Sequence, residues 1–415
     1  MSTIAENLAA LQQAKTDIAS AITNKGGTVN VGDGFSSFAA DIATIPSGGG
    51  GGDFSGSDVV FYDYDGTIVQ SYSAADFLAL SAMPANPSHT GFVAQGWNWT
   101  LSDAKAYVTR YGKLNVGQMY TTASELHEFD IDLTRATGLT VSFAMSGTKD
   151  WGDGTTDSTT SHTYANYGAY TIKCNGTSLP SYIMGQGSST INWTLKAVRL
   201  ANGISNIGDS SFLNCRSLKT ITLPSSVTRL YNRAFQNSSL VSITIPTSAV
   251  EIQGTFRDCH TLKSVSLPNG LRSIQDYAFN YCYSLTSVTL PDYYTISLGP
   301  SAFNTCYSLN TITLPNSVTN LPSSVFSSCY ALTSITMPDS ITSIGINAFY
   351  ADEAITLYDF SSFSSIPTLV ATSAFGGNNY SVKIVVPDLL YDEWIIASNW
   401  VTLANYIYKA SEVNL

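Results

Sequence analysis

The 415-residue sequence is poor in charge. Asp, Glu, Lys and Arg make up 12% of it, about half of the ~25% usual in globular chains. The balance is acidic, with 19 Lys+Arg against 30 Asp+Glu and a formal net charge of −11. So few cations cannot neutralise a run of phosphates, and nucleic-acid binding is excluded as the main task. No apolar run approaches the ~18 residues of a membrane-spanning helix, so no membrane insertion is expected. The four His are scattered and none of the six Cys forms a Cys-x-x-Cys pair. A structural zinc site therefore lacks a ligand set, and no metal or other cofactor is expected. The start, Met1-Ser2-Thr3-Ile4-Ala5-Glu6, has no basic n-region and no apolar h-region, so no secretory signal peptide is expected. What fills the gap left by charge is Ser, Thr, Asn and aromatics, with 24 Tyr and 18 Phe in a chain that is 44% hydrophobic. That composition argues against global disorder. At ~100–200 residues per domain, the length predicts two to four domains.

Residues 1–52 read as a helical segment with a linker. Ile4, Leu8, Leu11, Lys15, Ile18 and Ile22 follow one another at spacings of 4, 3, 4, 3 and 4. This is the a/d seam of a coiled coil, interrupted by Lys15 and ended by Gly26-Gly27. Three heptads are marginal alone. The stripe Ile4, Leu8, Leu11, Ile18 and Ile22 therefore calls for partner copies, the alternative being an amphipathic helix packed on its own chain. A second short helical pattern (Phe35, Phe38, Ala39, Ile42) precedes Pro46. Ser47 and five glycines, Gly48 to Gly52, then mark a flexible boundary.

Residues 53–125 read as a small α+β module. An apolar strand leads into Asp63-Tyr64-Asp65-Gly66-Thr67. Asp-x-Asp-Gly-Thr after a strand resembles the first motif of haloacid dehalogenase-type phosphatases. That resemblance implies Asp63 as nucleophile and Asp65 as acid/base around Mg²⁺. The span is too short for the doubly wound core that such chemistry uses. A β-hairpin turning at Asp65-Gly66, Val59–Asp63 against Thr67–Ser71, is the preferred reading. Helices are predicted from Ser73, with Asp76 three residues on, and from Ser102 to Gly112. Trp97 and Trp99 read as core residues or as a platform for a sugar.

Residues 126–192 alternate in the strand manner. They contain Asp150-Trp151-Gly152-Asp153-Gly154-Thr155 and His162-Thr163-Tyr164-Ala165-Asn166-Tyr167-Gly168-Ala169-Tyr170-Thr171-Ile172. The pairing resembles PKD-type domains, Ig-like β-sandwiches used as spacers. Asp153 and Asp157 read as turn caps, with Ca²⁺ ligation as the alternative.

The strongest signal lies in residues 193–387. Phe recurs at 212, 235, 256, 279, 303, 326, 349 and 375, at gaps of 23, 21, 23, 24, 23, 23 and 26. The unit is Leu-x-x-Ile-x-Leu-Pro-x-x-Val-x-x-Ile-x-x-x-Ala-Phe-x-x-Cys, as in Leu309–Pro315 and Ala302–Cys306. A period near 23 with one short strand per unit predicts a β-solenoid. Ile221, Ile243, Val265, Val288, Ile312 and Ile335 should stack inward. The five repeat cysteines read as small buried residues. Two files of hydroxyls should face outward: Thr220, Ser242, Ser264, Ser287, Thr311 and Ser334, then Thr222, Thr244, Ser266, Thr289, Thr313 and Thr336. At the corner after Cys, Tyr283, Tyr307 and Tyr330 should stand one above another, with Tyr281 beside them and Arg216 and His260 in the same file. Residues 388–415 read as a capping segment, with a helix over 388–400 bearing Leu390, Trp394 and Ala397 on one face.

The repeat resembles the BspA-like leucine-rich repeats of gut and oral bacterial surface proteins and of phage tail proteins. Together with the heptad start and the compact middle modules, the chain looks like a phage tail fibre or receptor-binding protein. The fold expected is mainly β and multidomain: N-terminal coiled coil, α+β module, PKD-like sandwich, leucine-rich-repeat solenoid and helical cap. The resemblance implies no enzymatic activity and a homotrimer held through its first helix to tail or baseplate proteins, located in the virion tail. It further implies a tip that contacts a bacterial surface glycan or protein through Tyr281, Tyr283, Tyr307, Tyr330, Thr289, Thr313 and Thr336. A bacterial surface adhesin of the BspA-like type is the alternative, and a phosphatase using Asp63 and Asp65 a remote one.

Overall fold

The computed structural model describes residues 57–123, 125–134, 140–183, 194–333, 335–378 and 382–413. The chain divides into two compact units, Met1–Gly51 and Gly52–Leu415. The heptad positions Ile4, Leu8, Leu11, Ile18 and Ile22 lie outside the described residues.

The second unit begins with the hairpin. Strand β1 (Val59–Tyr62) pairs antiparallel with β2 (Ile68–Tyr72). Gly66 sits at φ +86°, where glycine costs least, and the Thr67 N–H donates to Asp65 Oδ1 at 2.9 Å. Helix α1 (Ala74–Ala79) starts on the Ser73 hydroxyl, which accepts the Asp76 N–H. Strand β3 (Phe92–Trp97) leads to α2 (Leu101–Tyr111) and β4 (Leu114–Thr122). Helix α2 begins earlier than the Ser102 expected. The Thr100 hydroxyl is the cap, accepting the Asp103 N–H, and Gly112 at φ +78° ends the helix. The sheet order is β2-β1-β4-β3, with β1 and β4 parallel. Phe61, Phe77, Trp97, Trp99, Tyr107 and Val116 form the core, so both tryptophans are core residues. All nine residues of β4 are buried, which a strand covered on one face only cannot achieve.

The next strands are β5 (His127–Asp132), β6 (Thr140–Ser142), β7 (Lys149–Asp150), β8 (Thr156–Asp157), β9 (Ser161–Thr163) and β10 (Ala169–Cys174). Trp151 is fully buried; its N–H donates to Asp157 Oδ1 and its carbonyl accepts the Tyr164 hydroxyl. Gly152 lies at φ +81°, and a Cβ there would meet the Thr171 carbonyl at 2.7 Å. Asp153 and Asp157 cap turns, accepting the N–H groups of Thr155 and Thr159. Strand β11 (Leu195–Arg199) is antiparallel to β5 and parallel to Thr220–Thr222 of the array. One sheet, in the order Thr220–Thr222, β11, β5, β10, β7, β8, therefore crosses residue 192, where the sequence suggests a boundary. Arg199 fastens it, donating to Glu128 at 2.8 Å and to both oxygens of Asp130 at 2.6 Å.

The array is a parallel two-walled solenoid. The first wall runs through Thr220–Thr222, Ser242–Thr244, Ser264–Ser266, Ser287–Thr289 and Thr311–Thr313, and on to Leu357–Asp359 and Lys383–Val386. The second consists of two-residue strands such as Arg229–Leu230, Glu251–Ile252 and Ser273–Ile274. Pro224, Pro246, Pro268, Pro315 and Pro338 each open a turn, their carbonyl accepting the N–H three residues on. Between the walls, the eight Phe rings stack with centroids 5.2–5.7 Å apart and planes within 3–20°. The repeat cysteines are buried free thiols. Those of Cys259, Cys282, Cys306 and Cys329 each donate to the carbonyl of the preceding coil's Phe at 3.1–3.3 Å. A small weak donor is what this position uses, which explains Cys over Ala or Leu.

The cap differs from the helix expected over 388–400. A 3-10 turn (Asp388–Leu390) leads into the short helix α3 (Tyr391–Trp394), and Asn399 at φ +64° breaks the path. The reason is packing: Trp394 and Trp400 both fold onto the last layer, against Phe360 and Phe375, and the Trp400 N–H donates to the Pro367 carbonyl. Ile407–Lys409 then adds a parallel strand beside Lys383–Val386 and covers the sheet edge.

Candidate functional site

Asp63 and Asp65 serve the hairpin. Asp63 is 6% exposed; Oδ2 lies 2.6 Å from His89 Nε2 and Oδ1 accepts the Tyr64 N–H at 2.8 Å. Burial, then the Asp63 carboxylate, pushes the neighbouring Tyr120 phenol upward. Asp65 is exposed and caps the turn. The hairpin tip touches the array, where the Ser242 hydroxyl donates to the Tyr64 carbonyl. Among the described residues no three His, Cys, Asp or Glu side chains gather as a metal site.

The outward hydroxyl files are not open surface. Ser242, Ser264, Ser266, Ser287 and Thr289 are all under 9% exposed, although their side chains point away from the array core. The α+β module lies on them. Asn98 donates through Nδ2 to Ser266 Oγ at 2.9 Å and to the carbonyls of Ser266 and Ile245, while its Oδ1 accepts the Gly117 N–H. Trp99 donates to the Leu267 carbonyl at 2.9 Å and the Tyr107 hydroxyl to that of Leu290 at 2.8 Å. Gly117, in mid-strand, lets β4 approach so closely that a Cβ would stand 2.3 Å from Thr244 Oγ1. Thr289, expected to meet a receptor, is thus 7% exposed beneath the module. Thr313 is half-buried, and the side chain of Thr336 is outside the described residues. The module does not stand ahead of the array as a spacer; it is clamped along the array's first wall.

The corner file stays open. His260, Tyr283, Tyr307 and Tyr330 stack in one column, centroids 4.5, 4.7 and 5.0 Å apart and planes within 11°. Tyr281, held at φ +60°, meets Tyr283 edge-on at 6.1 Å. Tyr307 and Tyr330 are 40% and 45% exposed. Partial burial in the column, then the neighbouring phenols of Tyr307 and Tyr281, raises the Tyr283 hydroxyl's pKa. Each ring turns an edge and a hydroxyl to solvent, which suits contact with a glycan or a protein surface. The backbone beneath is held by the repeat, since the residue before each Cys position adopts positive φ in coil after coil: Asn214, Asp258, Tyr281, Thr305 and Ser328.

The family whose pattern matches is the BspA type leucine rich repeat region, in six copies over residues 190–292 and 252–381. The array, over residues 190–381, carries the BspA-type leucine-rich-repeat pattern. Among solved structures, a leucine rich cell surface protein of Faecalibacterium prausnitzii A2-165 is 30% identical over 45% of this chain and 58% of its own, with a TM-score of 0.32. The T. pallidum leucine rich repeat protein is 25% identical over 45% of this chain and 83% of its own, with a TM-score of 0.36. The chain spans 58% of the length of the first of these two. No curated protein matches.

One buried group escapes the sequence reading. Asp352 occupies the Cys position of its coil and is fully buried; Oδ1 accepts the Cys329 N–H at 2.7 Å and Oδ2 has no hydrogen-bond partner among the described residues. Burial holds its carboxyl well above the usual range. Aligning the coils by Phe349 would have placed it there.

Proposed function

We propose that the protein attaches to a surface, using the stacked column of His260, Tyr283, Tyr307 and Tyr330, with Tyr281 at its flank, as the contact strip for a glycan or protein. The observation that carries this reading is the column itself: four rings, in register with the repeat, left open on an array whose strand face is covered. The BspA-type repeat supports attachment as the task, and a bacterial surface adhesin is the first form of the proposal. Asp63 is occupied by His89 and the Tyr64 N–H and Asp65 by the Thr67 N–H of the turn, so neither carboxylate gives the phosphatase alternative support.

The second form is a phage tail fibre. What favours it is the heptad seam of Ile4, Leu8, Leu11, Ile18 and Ile22, which would make a homotrimer anchored to tail proteins, with binding at three copied strips raising a weak single-site affinity. The segment with Trp151 and Tyr164 would then be the PKD-like element of such a fibre. The test is the binding of fluorescent full-length protein to intact gut bacteria and to epithelial cells. Retention on epithelial cells supports the adhesin, and retention on bacteria alone, by a trimer, supports the fibre. In either case Tyr307→Ala with Tyr330→Ala should weaken retention about tenfold or more. Unchanged retention by that variant, with its melting transition intact, would remove the strip from the account.

A further inference from the structure

One coil in the middle of the array is a residue longer than its neighbours on either side. The gap from Phe279 to Phe303 is 24, and the extra residue falls in Pro291-Asp292-Tyr293-Tyr294. The turn bond that follows Pro224, Pro246, Pro268, Pro315 and Pro338 does not follow Pro291. The loop instead swings outward and sets two tyrosines on the surface. Tyr293 is 64% and Tyr294 41% exposed, edge to face at 4.7 Å. Neither serves the array core, and the loop that carries them is held on both sides of Tyr293. The Arg272 guanidinium lies 4.3 Å over the Tyr294 ring. Asp292 is anchored by Arg110 Nη1 at 2.6 Å, by the Tyr111 hydroxyl and by the Ser317 N–H at 3.2 Å.

The loop faces α2 across a cleft of two adjoining hollows, about 200 and 220 Å³, which share Asp103, Asn269 and Tyr293. Each is small, and only the two together reach the lower part of the ~300–1,000 Å³ range of small-ligand sites. The walls are aromatic: Tyr107 and Tyr293 in one hollow, Trp99, Tyr293 and Tyr294 in the other. The Asn269 amide has no hydrogen-bond partner among the described residues and offers both donors and an acceptor.

We infer that this cleft binds carbohydrate, a neutral or amino-oligosaccharide with one unit in each hollow. A pyranose presents an apolar C–H face that lies on an aromatic ring, and a rim of hydroxyls that needs both donors and acceptors. Tyr293, common to both hollows, supplies the platform; Asn269 and the Asp103 carboxylate supply the polar partners. Asp103 and an overall charge of −11 disfavour an anionic ligand, and an apolar one would leave Asn269 unpaired. The cleft shares no residue with the column of Tyr283, Tyr307 and Tyr330, so the inference stands if the strip fails and falls on its own evidence.

The experiment is calorimetric titration of the full-length protein with chitotriose, mannotriose, cellotriose and galactotriose. Binding to at least one is expected. Tyr293→Ala and Asn269→Ala, both at positions outside the core, should each weaken it at least about tenfold with melting unchanged, while Tyr307→Ala with Tyr330→Ala leaves it intact. No heat with any of the four sugars, or binding that survives Tyr293→Ala, overturns the proposal. Loss through the Tyr307/Tyr330 pair instead moves the sugar to the strip and also overturns it.

Discussion

Replacing Gly117 with Ala should loosen the clamp between the α+β module and the array. The added Cβ would stand 2.3 Å from Thr244 Oγ1, 2.7 Å from its Cγ2 and 2.9 Å from Ser266 Cβ. Contacts that short do not persist, and because Thr244 carries two heavy atoms on Cβ, rotating one away turns the other toward the same space. Strand β4 must therefore retreat. That stretches the bonds from Asn98 to Ser266 and Ile245, which are tied to Gly117 through Asn98 Oδ1, the acceptor of the Gly117 N–H. Overpacking of this kind costs about 1–3 kcal/mol. Thr244→Ala removes the two nearest atoms, the next being Ser266 Cβ at 2.9 Å. The double variant should then recover at least ~1 kcal/mol relative to the sum of the single losses. Urea unfolding of the four proteins, with amide exchange along β4 as a local reading, decides it. A neutral Gly117→Ala, or strict additivity in the cycle, would refute the close approach of β4 to Thr244.

Three other perturbations test other parts of the structure. Because burial raises the folded-state pKa of Asp352 above its unfolded value, its contribution is complete below ~3.9 and declines as pH rises, by about 1.4 kcal/mol per pH unit up to the folded pKa. Asp352→Asn should thus gain on the natural protein progressively between about pH 5 and pH 7 in thermal melts, and a constant offset would contradict the buried acid. Phe279→Ala, which removes a ring between Phe256 and Phe303, should cost about 3–5 kcal/mol in urea unfolding; a loss near zero would deny the stack its structural role. Burial pushes the thiols of Cys215 and Cys259 up to about 12, so a thiol reagent at mildly alkaline pH should label no repeat cysteine until the protein unfolds, and prompt labelling in the native state would contradict their enclosure.

The array was legible because its period is written in residues with no other use: Phe at the core, Pro at the strand end, Cys beside it. The hairpin was legible from Asp65-Gly66. Docking of the α+β module was not: Asn98, Gly117, Ser266 and Thr244 are polar or small residues that read as solvent face or turn, and Trp99 and Tyr107, which also bond to the array, read as residues of the module's own core. A glycine in the middle of Asn115-Val116-Gly117-Gln118 was the available signal of close backbone approach. The cap was misread because Trp394 and Trp400 are six residues apart, a spacing that a helix puts on different faces and that two short turns bring together. Of the expected contact residues, the tyrosines depended on register alone and stack as expected. Thr289 depended on what lay above the sheet, which no periodicity reports.

Hydrogen–deuterium exchange of the full-length protein, free and bound to whichever cell surface retains it, tests the central proposal most directly. The account predicts new protection at the corners carrying Tyr283, Tyr307 and Tyr330. It predicts no change along Ser264–Ser266 and Ser287–Thr289, which β4 and its helix already cover. Protection that appears along those strands and leaves the corners exchanging freely would contradict it.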